Sequence, residues 1–114
     1  MSNIKSILLA RQPLDKVDVP EFGFGKPVFF RRMNGHDRDR FMASITEETS
    51  VKQVIELQNL ILSLTLCDEK GVLVFDSSDE VGQMDGIIRD KLALAAMGLN
   101  GFTKESAAAI EKKL

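Results

Sequence analysis

Apolar residues recur along this 114-residue chain at two different spacings, separated by clusters of turn-forming residues. The helical spacing is strongest from about Val51 to Leu66, where Ser50 stands in front as a side-chain N-cap. At 100° per residue, Lys52, Glu56, Asn59 and Ser63 fall within about 60° of one another. Gln53 widens that polar arc on one side. Val51, Val54, Ile55, Leu57, Leu60, Ile61, Leu62 and Leu64 take most of the rest. A surface helix needs an apolar stripe only a little over ~100° wide. This helix therefore needs cover on most sides, from its own domain or from another subunit.

The weaker elements follow the same logic. Ser2 or Asn3 caps a short helix through about Arg11, with Ile4, Ile7 and Leu8 on one face, and Pro13 stops it. Lys16-Val17-Asp18-Val19 alternates polar and apolar, as a half-buried strand does, and Pro20 ends it. Gly23-Phe24-Gly25 reads as a turn, and Val28 to Met33 as the second strand of an antiparallel hairpin. Asn34-Gly35 is a turn that leads into a helix from about Asp37 to Ile45, with Phe41, Met42 and Ile45 inward. Thr46 to Ser50 is a polar connection. Asp68-Glu69-Lys70-Gly71 turns the chain into a short apolar run, Val72 to Phe75, a third strand. Asp76 to Asp79 offers N-caps for a helical turn. A further helix spans about Asp85 to Gly98 and stops at Asn100-Gly101, and Thr103 caps a last one. The expected fold is a single α+β domain over residues 1–114, mainly helical, with a small N-terminal β-hairpin and a short third strand.

Adjacent strand residues point to opposite faces, so Phe29 and Phe30 cannot both enter one core from a regular strand. One of them needs a second apolar cover: a helix, the Phe22/Phe24 loop, or another chain.

Composition narrows the chemistry. Lys and Arg number 15 and Asp and Glu 17, a net charge of −2 that argues against general capture of nucleic acid or an anionic membrane. No run approaches the ~18–20 apolar residues of a membrane helix. A single Cys excludes an internal disulfide, and a single His excludes a multi-histidine metal site. Cys67, without a signal peptide, suits a reducing cytoplasm. His36 stands among Arg31, Arg32, Arg38 and Arg40, which would repel a cation. Cys67 has no orienting base. Gly23-Phe24-Gly25 lacks the third glycine and helix start of a dinucleotide site. The acidic turns at Asp68 and Asp76 lack the alternating ligands of a calcium loop. No catalytic, cofactor-binding or metal site is expected. The expected protein is not an enzyme.

Three stretches together resemble the tail assembly chaperone family of long-tailed bacteriophages. The first is Val17-Asp-Val-Pro-Glu-Phe-Gly23, continuing through Val28 to Arg32 and Asn34-Gly-His-Asp-Arg-Asp-Arg-Phe41. The second is Leu62-Ser-Leu-Thr-Leu-Cys-Asp-Glu-Lys-Gly71 running into Val72 to Phe75. The third is Leu94-Ala-Ala-Met-Gly-Leu-Asn-Gly101, then Thr103 and a polar helix. They cover about Val17 to Lys113. Phe30 and Met42 depart from the pattern, the first in aromatic character and the second where an acidic residue is commoner.

The resemblance implies a non-enzymatic assembly factor that binds the tape measure protein before tube polymerisation. Tail tube subunits, including the major tail tube protein, are its second candidate partner. It implies action in the host cytoplasm and absence from the finished virion. Self-association is expected from the wide apolar arc and the Phe29–Phe30 pair. The expected partner-binding residues are Phe22, Phe24, Phe29, Phe30, Arg31 and Arg32. The alternative is a small helix-turn-helix-like DNA-binding regulator built from the helices either side of Gly98 to Gly101.

Overall fold

The computed structural model describes residues 3–10, 13–23, 25–45 and 50–102. In chain order these form α1 (Ile4–Leu9), β1 (Asp15–Val17), a 3-10 turn (Pro20–Phe22), β2 (Val28–Phe30), α2 (Gly35–Ala43), α3 (Val51–Thr65), β3 (Leu66–Cys67), α4 (Ser78–Val81) and α5 (Gly86–Leu99). Among the described residues the strands make one antiparallel sheet in the order β1-β2-β3. The architecture is the expected α+β one. The helix expected after Thr103 lies outside the described residues.

Side-chain caps set the helix starts. Ser50 Oγ accepts from the Gln53 N–H at 3.1 Å, Asn34 Oδ1 from Asp37 at 2.8 Å, and Asp85 Oδ1 from Ile87 and Ile88 at 3.0 and 3.1 Å. Each satisfies backbone donors that a first helical turn leaves unpaired. Helix α5 ends in a Schellman motif. Phe102 N–H reaches back to the Met97 carbonyl, and Gly101 N–H to that of Gly98. Gly101 sits at φ +82°, a conformation that favours glycine. The reversal turns Phe102 inward, edge-on to Phe41 with ring centroids 5.3 Å apart.

Helix α3 occupies the centre. Val54, Leu57, Leu60, Ile61, Leu62 and Leu64 are buried, and α2, α4 and α5 all pack on it. Its apolar arc is thus covered within the domain, apart from exposed Val51 and half-buried Ile55. Thr65, fully buried, donates its hydroxyl to the Ile61 carbonyl at 2.7 Å. The backbone then extends at Leu66, and β3 continues directly from the helix to pair with β2.

Several local expectations shift. Strand β1 starts at Asp15 and ends at Val17; Val19 has left it for the approach to the 3-10 turn and is buried. Strand β2 stops at Phe30, before Met33. The third strand is Leu66–Cys67, which the periodicity placed at the helix end. The Val72 to Phe75 run instead adds a bridge, Cys67 to Leu73, flanked by Asp68 N–H to Val72 O at 2.9 Å and Val74 N–H to Leu66 O at 3.0 Å. Helix α2 buries Phe41 but leaves Met42 exposed, because Met42 lies one position round the helix from the buried face. Helix α1 buries none of its residues: Ile4, Ile7 and Leu8 are all exposed.

Asn100 does more than stop α5. Its side chain is buried. Oδ1 accepts from the Met33 N–H at 2.8 Å and Nδ2 donates to the Ala96 carbonyl at 2.7 Å, while the Arg38 guanidinium donates to its backbone carbonyl. This ties the end of α5 to the β2–α2 connection.

Ile61→Ala is expected to cost about 2–5 kcal/mol in urea unfolding, as a fully buried aliphatic truncation does. A loss under ~1 kcal/mol would show that α3 is not the packed centre.

Candidate functional site

The alternation of β2 settles the Phe29–Phe30 question. Phe30 is fully buried in the helical core with Leu66 beside it, and Val28 packs on the same side. Phe29 faces the other way and is half-buried. It lies in a groove of about 660 Å³ between the sheet and α5. Phe29 shares its border with Pro27, Cys67 and Val74, and with residues of the core or packed on it: Val28, Leu66, Phe75, Met84, Ile88 and Leu92. Charge is confined to Lys26, Asp68 and Glu69. A concavity of this size and character suits apolar side chains presented by a partner.

The acidic rim is held by a tight turn. Asp68 Oδ1 accepts from Val72 N–H at 3.0 Å and from Lys70 N–H at 2.8 Å, and Gly71 supplies the φ of +85° that closes it. These two backbone donors, with the Lys70 charge adding to them, hold the Asp68 carboxyl below its ordinary 3.8. The same two hydrogen bonds close the turn.

The expected partner residues are scattered. Phe29 lines the groove. Phe30 is a core residue and offers no surface. Phe22 packs against the core, with the Lys91 ammonium 5.6 Å from its ring centroid. Phe24 lies outside the described residues. Arg31 is half-buried, donates to the Gly71 carbonyl at 3.3 Å, and has a buried Nε without a hydrogen-bond partner. Arg32 pairs with Asp15 at 3.3 Å. The groove instead recruits Val74, Phe75, Met84 and Ile88. The Val72 to Phe75 run between two acidic turns was the available sequence signal for the first two. Met84 and Ile88 come to it only through tertiary packing.

The remaining arginine-rich stretch is partly committed to the fold. Arg38 stacks 4.5 Å from the Phe102 ring centroid as well as bonding to Asn100. Asn100, in the turn that a helix-turn-helix reading needs, is itself a buried clasp. Among the described residues no group of three or more His, Cys, Asp and Glu is placed to hold a metal ion. Cys67 is buried and His36 exposed. No helix among those residues is long and apolar enough to cross a membrane.

Because the Asp68 carboxylate is the form the folded turn favours, its stabilising effect is present above the ordinary pKa and fades as pH falls through the folded value. In an NMR titration the Asp68 carboxyl should titrate below 3.8, with the Lys70 and Val72 amide shifts following it. Titration at or above 3.8 would contradict the turn geometry.

No protein-family model and no curated protein matches the sequence. Among solved structures, the bacteriophage HK97 tail assembly chaperone matches with a TM-score of 0.63 and 21% identity, over 84% of this chain and 95% of that one. The chain shares the fold of that chaperone over 84% of its own length.

Proposed function

We propose that this chain is a phage tail assembly chaperone, a non-enzymatic protein that holds the tape measure protein soluble until the tail tube forms around it. The observation that carries the reading is the fold shared with the HK97 tail assembly chaperone over 84% of the chain. The sequence resemblance, made on local motifs, supports the same role. The open groove supplies a physical means. A helical client presents apolar side chains at i, i+3/i+4 and i+7, and a groove with an aromatic wall accepts such a stripe. Met84 at the wall lets the surface adapt to many different stripes along a long client.

Phe29 is the anchor in this reading, since it is the aromatic that β2 turns away from the core. Tail tube subunits are the second client. The chaperone works as a homo-oligomer in the host cytoplasm and leaves before the virion is complete. Several linked grooves would grip a long client far more tightly than one, without any new contact.

The test is co-expression with the tape measure protein, followed by measurement of soluble complex. Phe29→Asp should weaken client binding at least roughly tenfold, the effect of losing an anchor worth ~1.4 kcal/mol or more. Circular dichroism should show its fold intact, whereas Phe30→Asp should unfold. A client kept soluble equally well by folded Phe29→Asp protein would overturn the groove as its site.

A further inference from the structure

Arg31 holds its place at a cost to stability. Its Nε is buried and has no hydrogen-bond partner. A buried donor left unpaired forfeits the bond that water would give it, and such a group in a folded protein calls for a reason. A methionine, unbranched and adaptable, would fill the same half-buried position without that cost. The bond the guanidinium does make reaches far along the chain. Nη1 donates to the Gly71 carbonyl at 3.3 Å, across 40 residues.

That carbonyl belongs to the turn from which the chain enters the groove wall. Val74 and Phe75 border the groove, and Val72 and Val74 are 61% and 50% exposed. Burial therefore does little to fix the two valines. The backbone of the run is joined to β3 by one bridge, Cys67 to Leu73, and the two bonds that flank it. Arg31 is better anchored. Its own N–H donates to the Thr65 carbonyl at 2.8 Å, which extends the β2–β3 pairing and fixes the root of its side chain on the sheet. Leu14 backs the same turn, with Cδ2 3.6 Å from where a Cβ on Gly71 would stand. Arg31 itself does not border the groove. We propose that Arg31 is a positioning residue for the client site. By holding the Gly71 carbonyl, its guanidinium fixes the 72–75 wall at the separation from Phe29 that a client helix requires. This rests on the reading of the Phe29 groove as the client site, and it gives Arg31 a part that needs no contact with the client.

Three substitutions test it in the whole chain. Arg31→Met removes the donors and keeps an apolar stem. Arg31→Lys keeps one donor, which is all that the Gly71 contact uses. Arg40→Met removes the same charge from an exposed position of α2. In Arg31→Met the urea midpoint should be unchanged or raised. Its Val72 and Val74 amides should exchange hydrogen about fivefold faster, and the tape measure protein should bind about fivefold more weakly, the effect of one hydrogen bond. The weakening should be the same at low and high salt, because no charge meets the client. Arg31→Lys should recover both readouts, and Arg40→Met should match the parent. Unchanged exchange at Val72 and Val74 in Arg31→Met would overturn the proposal without any client. So would a lowered urea midpoint with faster exchange throughout the domain, which marks a general brace, or a binding loss that vanishes at high salt, which marks direct contact. Full client binding by Arg31→Met alone would overturn the positioning role. Full binding by both Arg31→Met and Phe29→Asp would overturn the groove reading with it.

Discussion

The fold depends on a helix that cannot stand at a surface. Residues Val54, Leu57, Leu60, Ile61, Leu62 and Leu64 commit α3 to burial on most of its circumference. Each fully buried side chain of this kind is worth about 1.5–3 kcal/mol, so covering them outweighs local preferences elsewhere. Helices α2, α4 and α5 cover three directions, and Phe30 and Leu66 bring the sheet onto the same cluster. The consequence for function is indirect. A three-residue β2 that sends Phe30 into this core must send Phe29 out, where β3, the 74–75 segment, Met84 and α5 border the same groove. The groove borders the arrangement that buries α3, since Leu66 and Leu92 belong both to its lining and to the core.

Much of this was legible in the chain. The caps at Ser50, Asn34, Ser77 and Asp85 are local signals, because each acts on a donor two or three residues away. The long helix and the hairpin are equally local, read from a period of 3.6 and a period of 2. What the chain did not reveal involves distant partners. Leu66 and Cys67 are strand because β2 is beside them, although their sequence continues the helical period. Asn100 looked like a helix stop and is also a clasp on Met33, 67 residues away. The sequence could say that one of Phe29 and Phe30 needed separate cover, but which one depends on the register with Asp15 and Leu66.

The arginines show the same division. A cluster from Arg31 to Arg40 invites a reading as a phosphate or partner surface. In the fold Arg31 reaches Gly71, Arg32 reaches Asp15, and Arg38 covers Phe102. Three of the four arginines thus brace connections between elements. The Phe29 groove, by contrast, is lined mainly by apolar side chains, with charge only at Lys26, Asp68 and Glu69.

The central claim is that the Phe29 groove is where a client helix binds. Hydrogen–deuterium exchange of the chain with and without the tape measure protein tests it most directly. The account predicts added protection concentrated at residues 26–29, 68–75 and 84–88, with α2 and the α5 end around Asn100 unchanged. Client binding that instead protects the α2 face, and leaves those three segments as in the free protein, would contradict it.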